Sequence, residues 1–274
     1  VAELGHARQR RGSLATVPAF ALLRLRAFLL GPGWGPATWF ALVVAGLGGV
    51  APVGFLGEPG QGLAAGALNG VVATGILAPV WAAPLVATIV CTEPELGIDG
   101  HRWVTGIRPT SLRRRRRIEA VLGTGAVLAL GALVGVLGAV VANAVTPGEW
   151  SSGLTGWTGA AGTLLAVASV VVSTLLSVAV GELCGRRRLA VVLLEGSVLA
   201  TAALLSILYF VPSLRPVQVM SPWIGVWPLR AEQQHSPLLA SSIDERLAAV
   251  VTAVWVVALF IATSRREPDR VPGA

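Results

Sequence analysis

Seven of the 21 arginines of this otherwise apolar chain are gathered in one stretch, CTEPELGIDGHRWVTGIRPTSLRRRRRIEA, residues 91–120. Glu93 and Glu95 come first, then Arg102, Trp103, Ile107, Arg108 and Pro109, then the unbroken run Arg113, Arg114, Arg115, Arg116 and Arg117. The part before the arginine run is mixed in charge and contains turn-forming Gly97, Gly100, Gly106 and Pro109. The arginine run has a plainer use as an anchor on anionic lipid headgroups, worth about 1 kcal/mol per residue near the surface. An anchor needs only arginines, so it leaves residues 93–109 unexplained.

Other chemistry is excluded by what the chain lacks. All 21 basic residues are arginine, and without a lysine no phosphate-binding loop can reach the terminal phosphates of a nucleotide. His6, His101 and His235 are far apart and form no clustered set of the kind a metal requires, so no metal site and no cofactor are expected. No G-x-S-x-G stretch is present. The chain is therefore not expected to be an enzyme. Cys91 and Cys184 close apolar segments and read as small buried thiols rather than a disulfide framework. Three polar residues fall inside apolar runs: Glu195, Asn69 and Asn143. The asparagines read as helix-packing hydrogen bonders. Glu195 is near enough to one end of its run to reach water or an arginine, or else to serve transport.

The elements that must position these residues follow from the solvent they require. The chain is 54% hydrophobic and 13% charged, with mean hydropathy +0.73, whereas a water-soluble domain carries about a quarter charged residues. It reads as an all-α polytopic membrane protein with six transmembrane helices, at about 37–56, 62–91, 118–145, 160–180, 189–210 and 247–263. Pro79 and Pro84 should kink or tilt the second span. Residues 1–36 read as a cytoplasmic tail followed by an amphipathic helix lying on the inner leaflet, with Arg24 and Arg26 toward phosphate. These arginines also interrupt any signal-peptide core, so the N-terminus is expected to be retained. With both termini in the cytoplasm, eighteen arginines lie inside and only Arg215, Arg230 and Arg246 outside, as the positive-inside rule requires. The six-helix domain, 37–263, then has an inner loop at 92–117 and an outer loop at 211–246, with a tail at 264–274. Pro212, Pro216, Pro222 and Pro228 break the outer loop, which reads as partly re-entrant or interface-hugging, with Trp223 and Trp227 at headgroup level. Gly62, Gly66 and Gly70, and again Gly131 and Gly135, have the four-residue spacing that lets helix backbones approach closely, within one chain or at a dimer seam.

Six spans, an inner lead-in helix, a mixed inner loop after the second span and a Pro- and Trp-rich outer loop after the fifth resemble the permeases of type-2 ABC exporters over nearly the whole length. In that family the second-to-third loop carries a glutamate, a glycine turn and a hydrophobic-proline-Ser/Thr-basic stretch. Here Glu93 or Glu95, Gly97 or Gly100, and Gly106, Ile107, Arg108, Pro109, Thr110 and Ser111 stand in those places. Arginine stands where the family often has lysine. The outer MSPWIGVWPL is similar to the family's Pro-aromatic re-entrant segment. The resemblance implies a plasma-membrane permease subunit that binds no ATP itself. Its partners would be a cytoplasmic ABC ATPase and a second permease, identical or different, with membrane lipid around them and no nucleic acid. Glu93, Glu95, Arg102, Trp103, Ile107, Arg108 and Pro109 would dock the ATPase, and Arg113 to Arg117 would hold the next helix against phosphate. The competing expectation is a non-transporting membrane scaffold or immunity-type interaction subunit.

Overall fold

The computed structural model describes residues 35–54, 62–97, 109–145, 160–211, 217, 220–223 and 245–265. The proposed interfacial helix, Arg102, Trp103, Ile107, Arg108 and most of the outer loop lie outside them. The described residues form seven helices: α1 (Gly35–Gly54), α2 (Leu63–Ile76), α3 (Ala78–Glu95), α4 (Pro109–Val145), α5 (Ala160–Cys184), α6 (Arg187–Phe210) and α7 (Glu245–Arg265). Ser111–Val145, Gly162–Cys184 and Leu247–Arg265 are each long and apolar enough to cross a membrane, and α2 with α3 makes a fourth crossing if the two are one bent span. The fold is all-helical and has the long apolar helices of a multi-pass membrane protein.

The bend between α2 and α3 is 70° and falls at Leu77, ahead of Pro79 rather than at Pro84. Proline tolerates the first turn of a helix, where its missing N–H is not needed, so Pro79 starts α3, while Pro84 is carried inside it. Polar groups freed by the break are satisfied within the chain. The Leu77 N–H donates to the Gly75 carbonyl, the Val80 N–H donates to the Leu77 carbonyl at 2.9 Å, and the Trp81 indole N–H donates to the Thr74 carbonyl at 2.8 Å. A buried carbonyl without a donor costs about 1–3 kcal/mol. Trp81→Phe is therefore expected to lower stability in detergent by about that amount, read by thermal unfolding, with faster amide exchange near Leu77.

Helix α3 is the hub of the bundle. Trp81, Ala82, Ala83, Leu85, Val86, Ala87, Ile89, Val90 and Cys91 are all buried, so it is covered on every side, as a helix without a polar face must be. Its core includes Ala41 of α1, Val127 of α4 and Val170 and Val178 of α5.

The two glycine motifs meet each other. A Cβ on Gly70 would overlap the Gly131 carbonyl oxygen and stand 2.9 Å from the Gly135 Cα, and one on Gly66 would press on Ala139. Thr74 packs on Gly131, so α2 and α4 run antiparallel with backbones in contact. Gly49 and Gly46 of α1 close on Gly135 and Gly138 from a third direction. The spacing that left a dimer seam open is thus used inside one chain.

After α6 the chain folds back along it. The Trp223 indole N–H donates to the Ser197 hydroxyl at 2.6 Å, thirteen residues before the end of α6, or about 20 Å at 1.5 Å per residue. Ser221 and Thr201 share a hydrogen bond of 2.6 Å, and the Thr252 hydroxyl of α7 donates to the Pro222 carbonyl at 3.0 Å. Trp223 is fully buried in a core with Ala83, Leu176, Leu194 and Val198. The segment doubles back along α6, and Trp223 is enclosed within the bundle rather than exposed on its outside. Its apolar ring is better placed among aliphatic side chains once a hydroxyl satisfies its one donor.

Candidate functional site

The inner loop is shorter than the 92–117 expected from sequence, because helices run into it from both sides. Helix α3 continues to Glu95 and ends at Gly97, whose φ of +67° is the left-handed conformation glycine adopts at helix C-termini. Helix α4 opens at Pro109 and contains the whole arginine run. Arginine is a good helix former, and a proline at the first helical position sets the backbone for it.

Five consecutive residues on a helix turn through more than a full circle, so the five arginines cannot share a face. Arg116 is directed inward. It is 6% exposed, and its Nε donates to Glu93 of α3 at 3.2 Å. Arg117 makes a two-pronged pair with Glu182 of α5, Nε at 2.9 Å and a terminal nitrogen at 2.7 Å, the strong planar geometry of arginine with carboxylate. Its guanidinium also lies 5.2 Å from the ring centre of Phe260 in α7, within cation–π range. Arg115 pairs with Glu119 one turn along α4 at 2.8 Å. Arg113 is half-buried and has a partner, and Arg114 is exposed. Reading all five as a headgroup anchor therefore needs correcting: Arg116 is withdrawn from lipid phosphate, and Arg117 is shared between a carboxylate and a ring.

The two acids expected to dock a partner also have partners inside the chain. Glu93 pairs with Arg116, and exposed Glu95 accepts the backbone N–H of Arg187 at the start of α6. Gly185, with φ +63°, and Arg186 alone separate α5 from α6, which brings that N–H to the end of α3. The Cys91 thiol points at the Gly181 carbonyl at 3.5 Å, and both cysteines are free thiols. The ends of α3, α4, α5, α6 and α7 are thus clamped by charge at one end of the bundle, on either side of residues 98–108.

No protein family, curated protein or solved structure matches the chain.

The clamp residues that sequence reasoning did not single out are Glu182 and Phe260. Glu182 had a signal, since it is an acid at the end of an apolar run on the same side as the arginines. Phe260 had none, being one apolar residue among many in α7. Among the polar residues inside apolar runs, Asn69 and Asn143 are buried, in α2 and α4, and each has a partner. Glu195 is half-buried in α6 and is treated below.

Proposed function

We propose that the chain is the permease subunit of an ATP-driven exporter of the type-2 ABC class, working with a separate cytoplasmic ATPase and a second permease. In this reading α1 and α6 cross the plasma membrane as well, α2 and α3 form one broken crossing, and both termini and the clamped end face the cytoplasm. The observation that carries it is the clamp. Residues 98–108 connect α3 to α4 along the chain, and the ends of these two helices are bonded to each other and to α5, α6 and α7. A push delivered to that loop therefore reaches five helices together, as rigid-body motion between inward and outward access requires. The chain's own charge pairs satisfy the clamp, which leaves the apolar Trp103 and Ile107 as the anchors for an ATPase groove.

The test is copurification. Changing Trp103 and Ile107 to Asp is expected to lose the ATPase, while changing Arg114 to Gln is expected to keep it. An ATPase retained by the Asp variant removes the docking claim. A chain that never purifies with an ATPase belongs to the non-transporting scaffold class instead.

A further inference from the structure

Four acids of the bundle meet arginine: Glu93 meets Arg116, Glu119 meets Arg115, Glu182 meets Arg117, and Glu95 meets the Arg187 backbone. Glu195 is different. It has no hydrogen bond or ion pair among the described residues. It lies eight residues into α6, about 12 Å from the helix start. Residues three and four apart share a helix face, and its neighbours on that face fix its surroundings. Val191 packs on the cluster formed by Ala87 and Cys91 of α3 with Ala190, while Val198 belongs to the cluster that holds Ala83 of α3 and Trp223. Glu195 is therefore on the α3 side of α6, between the levels of Ala87 and Ala83.

Nothing on the neighbouring helices can neutralise it, for α3 and α5 contain no arginine, lysine or histidine. Two hydroxyls, one on α3 and one on α6, are engaged elsewhere. The Thr88 hydroxyl donates to the Pro84 carbonyl at 2.7 Å. The Ser197 hydroxyl donates to the Leu194 carbonyl at 2.7 Å while accepting the Trp223 indole. An acid at this depth is costly in hydrocarbon unless something positive meets it.

We infer that Glu195, at the α3–α6 seam, is the recognition site for the positive charge of a lipophilic cation. This names a cargo class for the proposed exporter and rests on that reading's placement of α6 across the membrane. A ligand that reaches this depth needs an apolar body to enter through lipid and a delocalised positive charge to pair with the carboxylate. Ala83 and Ala87, the α3 residues packed on α6 at these levels, have small apolar side chains and would not compete for that charge.

The test needs no ATPase. Wild-type chain, Glu195→Gln and Glu195→Asp are placed in lipid nanodiscs and titrated with tetraphenylphosphonium, and with tetraphenylborate as an anion of matching shape. The expected result is at least tenfold weaker cation binding by Glu195→Gln, near-native binding by Glu195→Asp, and no change in anion binding. Should the Gln variant fail to fold, the wild-type chain is treated with dicyclohexylcarbodiimide and the modification of Glu195 is measured by mass spectrometry. Tetraphenylphosphonium is then expected to slow that modification at least threefold and tetraphenylborate not to. Equal cation binding by wild type and Glu195→Gln, no binding by wild type, or no protection from the carbodiimide would overturn the inference. Loss of the exporter reading would register separately, as a chain that binds the cation but never purifies with an ATPase.

Discussion

Gly70→Leu is expected to yield no monodisperse protein in detergent, and Gly70→Ala to cost about 3 kcal/mol, at the upper end of the usual range for overpacking. The first atom of any side chain there meets the backbone of α4, namely the Gly131 carbonyl oxygen and the Gly135 Cα at 2.9 Å. Backbone in the middle of a helix cannot rotate aside as a side chain can. Helix α2 would have to retreat as a unit, and that would also open the contacts of Gly66 with Ala139 and of Thr74 with Gly131. Gly125 is the matching control on α4. A Cβ there meets nothing within 4 Å, so Gly125→Ala is expected to be neutral or to stabilise by up to about 1 kcal/mol through reduced backbone freedom. Thermal unfolding of both alanine variants in one detergent should give shifts of opposite sign, and a destabilised Gly125→Ala with an unaffected Gly70→Ala would refute the packing described for α2 and α4.

Removing one member of the inner ion pair should be the second large effect. Glu93→Leu takes the carboxylate at 3.2 Å away from the buried Arg116 guanidinium, and breaking a buried ion pair from one side costs about 3–5 kcal/mol. A value near the lower figure is expected, because the Glu93 side chain keeps 14% exposure and water can reach the end of the bundle. Changing both residues together, Glu93→Leu with Arg116→Met, should recover most of the loss, since apolar replacement of a whole buried pair is often neutral. Arg115→Ala provides the contrast. The Arg115 side chain is 38% exposed and its pair with Glu119 lies along one helix, so about 0.5 kcal/mol or less is expected. Chemical unfolding of the wild-type chain, Glu93→Leu, Arg116→Met and the double variant would measure the coupling as a double-mutant cycle. A double variant no more stable than Glu93→Leu alone would mean that Glu93 acts through some contact other than Arg116.

How much could be read beforehand depended on the range of the interaction. Long apolar runs marked the helices, because in lipid the backbone has no other way to satisfy its polar groups. Pro79 announced the bend, and the four-residue glycine spacing announced close contact, both being local. The helical state of Arg113 to Arg117 was missed because a charge run between apolar segments looks like solvent-exposed loop. Its acids, Glu93 and Glu182, lie on other helices and remove that reason for avoiding a helix. Trp223 was placed at the headgroups for a similar reason. An indole between prolines suits an interface, and only Ser197, Ala83 and Leu194, all distant in sequence, make a deep position better.

That deep position bears on how the protein is made. Helices α1, α2 and α4 carry the glycine contacts within the first 145 residues, so they can associate while the ribosome is still adding the remainder. The segment around Trp223 can seat only after α6 has been delivered, and α7, bonded to it through Thr252 and Pro222, comes after it. Biogenesis would then proceed in two acts, an early triplet and a late closure, and between them Ser197 and Thr201 would wait in the bilayer without the indole and hydroxyl that later occupy them.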